Sequence, residues 1–141
     1  MSDQLIEVKN LNTHYGASHI LQGIDFSVAR GETIGLMGRN GMGKSTLLKS
    51  IMGLVKPSSG TVMVMGQDMT GAPPYKIAQV GAAYVPEGRG IFGNLSVTEN
   101  LKMTARAGKS TAAKLRAEKQ QDWNYERVFD TFPRLKERLN H

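Results

Sequence analysis

Residues Gly38-Arg39-Asn40-Gly41-Met42-Gly43-Lys44-Ser45 restrict what this chain can fold into more than any other stretch. They match G-x-x-x-x-G-K-[ST] in full, a pattern expected to follow a strand, turn tightly and open a helix. The glycines let the backbone turn and aim several N–H groups inward at anionic oxygens. A helix beginning at Lys44 adds its unpaired N–H groups and partial positive charge at the same place. In such a loop Lys44 reaches the β- and γ-phosphates, and Ser45 offers a hydroxyl to Mg²⁺, a cation that prefers oxygen. Gly38, Arg39, Asn40, Gly41, Gly43, Lys44, Ser45 and Thr46 are therefore the candidate nucleotide-binding residues, with ATP and Mg²⁺ the candidate ligands.

The flanks agree with the loop. Thr33-Ile34-Gly35-Leu36-Met37 is a short, mostly apolar run, expected as a strand covered on both faces in a parallel sheet. Behind the loop, Leu47, Leu48, Ile51 and Met52 share one helical face, and Gly53 is the expected C-terminal cap. A second Gly-Lys-Ser-Thr, Gly108 to Thr111, has Met103 at its first-glycine position and no strand before it, so it reads as coincidence.

Leu5 to Val8 with Leu11 predicts a first strand ending near Tyr15-Gly16, and the alternation Ile24, Phe26, Val28 predicts a half-buried second one. Thr61 to Gly66 and Ala82 to Val85 are further expected strands. The second proline of Pro73-Pro74 suits the start of a short helix over Tyr75 to Gln79. Ser96-Val97-Thr98-Glu99 has the form of a capping box opening a helix with Leu101 and Met103. Tyr125, Val128, Phe129 and Phe132 mark an amphipathic helix stopped by Pro133, followed by a short basic tail from Arg134 to Arg138. No linker composition divides the chain, and strands interleaved with helices give an α/β class.

Composition narrows the setting. With 141 residues, one domain of ordinary size is expected. No apolar run reaches the roughly 18 residues of a membrane-spanning helix, and the N-terminus lacks a signal-peptide pattern. Without cysteine there are no disulfides and no thiolate metal sites. The net charge of +6 is concentrated between Lys102 and Lys119, where six basic residues face only Glu118. Such a window could touch nucleic acid or acidic headgroups, but without interleaved aromatics it reads as a solvated polar segment.

From the glycine loop outward, the order of features resembles the ATP-binding subunit of ABC transporters. Leu11 to Gly16 is similar to that family's A-loop, which implies that Tyr15 stacks on adenine. Ile20 to Phe26 with Gly31-Glu32, and Lys56 to Gly60 with Val62, are also similar to family segments. Tyr84-Val85-Pro86-Glu87-Gly88-Arg89 sits where the family has its Q-loop. Glu87 occupies the position that carries glutamine in most members, which implies contact with Mg²⁺ and sensing of the γ-phosphate. The resemblance thus makes Glu87, with Ser45, a metal-side residue. The string Pro86 to Arg89, with Ile91-Phe92, Leu95-Ser96-Val97, Glu99-Asn100-Leu101 and Phe129 to Arg138, looks like the ATPases of branched-chain amino-acid importers and their urea or amide relatives.

The resemblance implies a P-loop NTPase fold of the ABC ATPase type, with an N-terminal antiparallel β subdomain and an incomplete catalytic core. On this reading residues 1–35 are a β-rich start, 36–88 the P-loop to Q-loop core, and 89–141 the beginning of a helical subdomain. The signature loop, Walker B aspartate, catalytic glutamate and switch histidine of the family have no counterpart, so no catalytic residue is assigned. Phosphoryl transfer needs a group to orient the attacking water. The expectation is an N-terminal portion that binds nucleotide but turns over ATP negligibly alone. Its implied partners are a second ATP-binding subunit in a head-to-tail dimer and membrane permease subunits, at the cytoplasmic inner face of the cell membrane. No nucleic-acid partner is expected. Self-association is, because a parallel sheet lacking strands leaves an edge and an apolar face open. The alternatives are a urea or amide importer ATPase, a soluble ABC ATPase acting on nucleic acid or ribosomes, and a small P-loop kinase.

Overall fold

The computed structural model describes residues 4–88, 90–105 and 124–139. They fall into two compact units, Met1–Tyr84 and Val85–His141. No composition change marks that division, which comes just ahead of Pro86.

The first unit begins with two long strands, β1 (Gln4–Tyr15) and β2 (Ser18–Ala29), which form an antiparallel hairpin closed by Gly16 and Ala17. On β1, Val8, Leu11 and Thr13 are buried while Lys9 and Asn10 are exposed, so one extra residue separates the first two inward positions. A bulge supplies it. Asn10 adopts φ 47°, a left-handed conformation that asparagine tolerates, and its N–H donates to Asp25 Oδ1 at 2.7 Å. Strand β3 (Ser59–Val64) pairs with the other edge of β1, and the two-residue β4 (Gln67–Asp68) folds back on β3 through Met65-Gly66. The order is β2-β1-β3-β4, antiparallel throughout.

Two helices complete this unit, α1 (Lys44–Ile51) and α2 (Pro74–Val80). Val8, Leu11, Leu21, Val62 and Val64 from the sheet meet Leu47 and Ile51 from α1 and Ile77 and Val80 from α2 in one core. Fully burying each such side chain contributes about 1.5–3 kcal/mol. The buried face of α1 is Thr46, Leu47, Ser50 and Ile51, turned from the expected one so that Leu48 is exposed. Helix α1 ends as its glycine foretells: Gly53 takes φ 68°, Gly53 N–H donates to Ser50 O, and Leu54 N–H donates to Lys49 O at 2.9 Å. That pair of bonds is a Schellman cap.

Two expected strands do not form. Thr33–Met37 and Ala82–Val85 join no ladder among the described residues, and Met37 is 91% and Val85 89% exposed. A strand exists only when another chain segment takes its N–H and C=O groups. An apolar run announces that a partner is needed without supplying one. The described sheet therefore contains no parallel pair.

In the second unit, α3 (Val97–Thr104) starts on the expected capping box: Ser96 Oγ accepts from Glu99 N–H, and Ser96 N–H donates to Glu99 Oε2 at 2.9 Å. Asn100 pins the preceding loop, its amide donating to Phe92 O, Leu95 O and Ser96 O while its Oδ1 accepts from Phe92 N–H. Helix α4 (Tyr125–Thr131) is capped by Asn124. Pro133 ends it and also opens α5 (Pro133–Glu137), so the expected basic tail is helical, with proline at the one position where its missing N–H costs nothing. The segment from Arg106 to Gln121, including the second Gly-Lys-Ser-Thr, and Arg89 lie outside the described residues.

Candidate functional site: a glycine loop on the N-terminus of α1

The loop of residues 38–43 leads directly into α1. Gly41 and Gly43 have φ 83° and 90°, values that L side chains rarely adopt, and Gly43 is the N-cap of α1. A Cβ at Gly43 would also lie 3.0 Å from Leu21 Cδ2. The missing side chain thus lets β2 press against the start of the helix. The first intrahelical bond runs from Leu47 N–H to Gly43 O at 2.8 Å. The N–H groups of Lys44, Ser45 and Thr46 precede it and have no acceptor within the helix. No acidic residue occupies the first turn to compete for an anion.

Lys44 folds back over this loop. Its Nζ donates to Gly38 O and, at 2.8 Å, to Arg39 O. The ammonium is thus held by two carbonyl oxygens at the start of the loop. A helix N-terminus with unpaired N–H groups and a lysine whose carbonyl partners could be exchanged for phosphate oxygens are the groups here that could hold a triphosphate. Ser45 is exposed at the helix start, whereas Thr46 is buried on the core side. Ser45 could serve as an oxygen ligand to a cation; Thr46 faces the core and could contribute through its backbone N–H. Arg39 and Asn40 are exposed on the rim of the loop.

Tyr15 ends β1, two residues beyond Thr13. Strand alternation puts it on the face that carries Leu11 and Thr13, the face packed on α1. There it is 47% exposed, leaving much of the ring accessible. Thr13 and Ser50 fix this strand to the helix through a buried bond, Oγ1 to Oγ, of 3.0 Å. Sequence reasoning missed that pair. A hydroxyl at an inward position of each element was the available signal, but 37 residues of separation hide their meeting. Glu87 lies on an exposed bend in the second unit. A 490 Å³ surface depression over Glu7, Lys9, Asn10, Asp25 and Ser27 shares no residue with the glycine loop.

The sequence pattern of the ABC transporter family matches residues 21–137. The chain belongs to the ABC transporter family. Within it, the chain is 37% identical over 134 residues to the high-affinity branched-chain amino acid transport ATP-binding protein BraG of Pseudomonas aeruginosa, spanning 95% of this chain and 54% of that protein. It is 41% identical over 101 residues to the probable branched-chain amino acid transport ATP-binding protein LivF of Archaeoglobus fulgidus, spanning 72% of this chain and 43% of that protein. The ribose import ATP-binding protein RbsA of Lacticaseibacillus paracasei is also similar, at 38% over 68% of this chain. Among solved structures, an ATP-binding subunit of an ABC transporter superposes with a TM-score of 0.75 at 32% identity, covering 96% of this chain and 52% of the other. The chain thus spans about half the length of these branched-chain relatives. The α/β fold class expected from the sequence is that of an ABC ATPase domain, with the antiparallel sheet as its N-terminal subdomain. Among the described residues, no helix is long and apolar enough to cross a membrane.

Proposed function

We propose that this chain is the nucleotide-gripping part of the ATP-binding subunit of an importer for branched-chain amino acids. The observation that carries the reading is Lys44, held over a glycine loop whose three following N–H groups open α1. In this reading Gly38, Arg39, Asn40, Gly41, Gly43, Lys44, Ser45 and Thr46 cradle the triphosphate, and Tyr15 stacks on adenine. Ser45 and Glu87 stand on the Mg²⁺ side. The ion, when bound, neutralises charge on the phosphate oxygens. Residues 1–35, 36–88 and 89–141 are read as β-rich start, phosphate-binding core and the beginning of a helical subdomain.

The choice of cargo class rests on coverage. Similarity to BraG extends over 95% of the chain, whereas similarity to RbsA covers 68%. In the importer reading the subunit works with a second ATP-binding subunit and with permease subunits, at the inner face of the membrane. ATP hydrolysis belongs to that assembly; the chain alone binds nucleotide with negligible turnover.

The test is equilibrium binding of a fluorescent ATP analogue to the chain and to Lys44→Ala. Losing charge-assisted bonds of about 1.5–3 kcal/mol predicts a drop of roughly tenfold or more, with the circular dichroism spectrum unchanged. Equal affinities would overturn the nucleotide reading. Leucine uptake in vesicles carrying the chain's own permease, if absent while ribose uptake is present, would overturn the cargo class.

A further inference from the structure

From Arg30 to Met42 every residue is exposed, and Gly43 is the first to be buried again. The glycine loop therefore meets the packed interior at that residue. Lys44 carries the connection back to the start of the loop, because its Nζ donates to Gly38 O and Arg39 O.

Strand β2 is what buries Gly43. A Cβ there would lie 3.0 Å from Leu21 Cδ2, 3.5 Å from Ile20 Cγ2 and 3.6 Å from Ile20 O. A carbon–carbon bond is about 1.5 Å long, so the Leu21 methyl is within about 4.5 Å of Gly43 Cα, in van der Waals contact. Leu21 is 4% exposed and pairs across the hairpin with Thr13, whose hydroxyl bonds Ser50. One cross-strand pair thus holds α1 at its N-cap and near its far end, about 10 Å apart at 1.5 Å per residue. Two points fix the tilt of a rod as well as its distance. That matters here, because a helix of eight residues is too short to be stable on its own.

We infer that Leu21 is a positioning residue for phosphate binding: by seating Gly43 it aims the free N–H groups of Lys44, Ser45 and Thr46. Buried in the core, it acts through Gly43 and not by contact with the ligand. The inference rests on the phosphate reading of the loop. Binding groups have to be held within about 0.5 Å of their productive place by packed neighbours. Shortening Leu21 leaves the Thr13–Ser50 bond intact and frees the N-cap end, so the start of the helix can pivot about Ser50.

The test is titration of the chain with inorganic tripolyphosphate, which reports on the loop without a base. Leu21→Ala should weaken binding about fivefold or more, whereas Leu21→Met, which keeps volume and reach, should stay near the parent value. Leu21→Val, a smaller cut, should fall between them and serves if the alanine variant does not fold. Val64→Ala controls for general loosening, since Val64 is 1% exposed in the same core and is not among the near neighbours of Gly43. It should lower the melting temperature and leave tripolyphosphate affinity unchanged. Amide ¹H–¹⁵N shifts of Lys44, Ser45 and Thr46 should move in Leu21→Ala and stay in place in Val64→Ala. Parent affinity in the Leu21 variants, or an equal loss in Val64→Ala, overturns the positioning role while the phosphate reading stands. No binding by the parent chain overturns both.

Discussion

Thr13 Oγ1 and Ser50 Oγ meet at 3.0 Å with both residues almost wholly buried, 0% and 2% exposed, and this bond joins the strand that ends in Tyr15 to the helix that begins at Lys44. Removing one hydroxyl strands the other in an apolar core, at a cost of about 1–3 kcal/mol. Thr13→Val and Ser50→Ala should each destabilise the chain by that order, and the double variant by less than their sum. Urea unfolding of all four proteins checks this; strict additivity would mean the two hydroxyls do not interact.

In the proposed reading Tyr15 makes a separable contribution to nucleotide affinity. Stacking of a base on an aromatic ring is worth about 1–3 kcal/mol. Tyr15→Ala should therefore weaken ATP binding roughly 5- to 150-fold. Affinity for inorganic tripolyphosphate, which has no base, should stay the same. Competition titrations with both ligands measure the difference, and a parallel loss would mean that Tyr15 acts on the loop rather than on adenine.

Gly53 tolerates no side chain. Its φ is 68°, and a Cβ there would lie 2.2 Å from Ala72 O. The conformation alone costs an alanine about 1–2 kcal/mol, and the backbone overlap adds to it. Gly53→Ala should lower the melting temperature by several degrees while leaving the Lys44 contacts in place. By comparison, Gly16→Ala, where a Cβ meets nothing within 4 Å, should cost less.

The capping box gives α3 a pH dependence. Hydrogen bonds from Ser96, backbone N–H first and hydroxyl second, hold the Glu99 carboxyl below its ordinary value, with Lys102 adding a smaller effect. A depressed folded value means stabilisation that is complete above the usual carboxylate range and lost as pH falls through the folded value. Stability of the wild type should fall on acidification relative to Glu99→Gln, whose amide cap does not titrate. Denaturation midpoints of the two proteins between neutral and strongly acidic pH should converge; parallel curves would remove the carboxylate from the cap.

Legibility followed the range of the interactions. The loop over Gly38 to Ser45, the cap at Gly53, the box at Ser96 and Glu99, and the proline start of α2 were all readable, because each is decided within a few residues of chain. The rotation of α1 that exposes Leu48 was not, nor was the pairing of Thr13 with Ser50. Both depend on which face the sheet offers. The short β4 was also missed, since Gln67 and Asp68 carry no strand signal and pair only because Met65 and Gly66 reverse the chain.

The sequence alone determined that this chain carries a glycine loop at a helix start, because backbone freedom, a lysine and a hydroxyl at fixed spacing are local properties. It also marked Thr33–Met37 and Ala82–Val85 as runs that want a sheet. Only the tertiary structure decided that neither run is paired among the described residues, that the hairpin bulges at Asn10, and that Leu21 presses on Gly43 beside the loop. Pairing and packing need a second surface. A residue's own neighbours in sequence do not specify where that surface will come from.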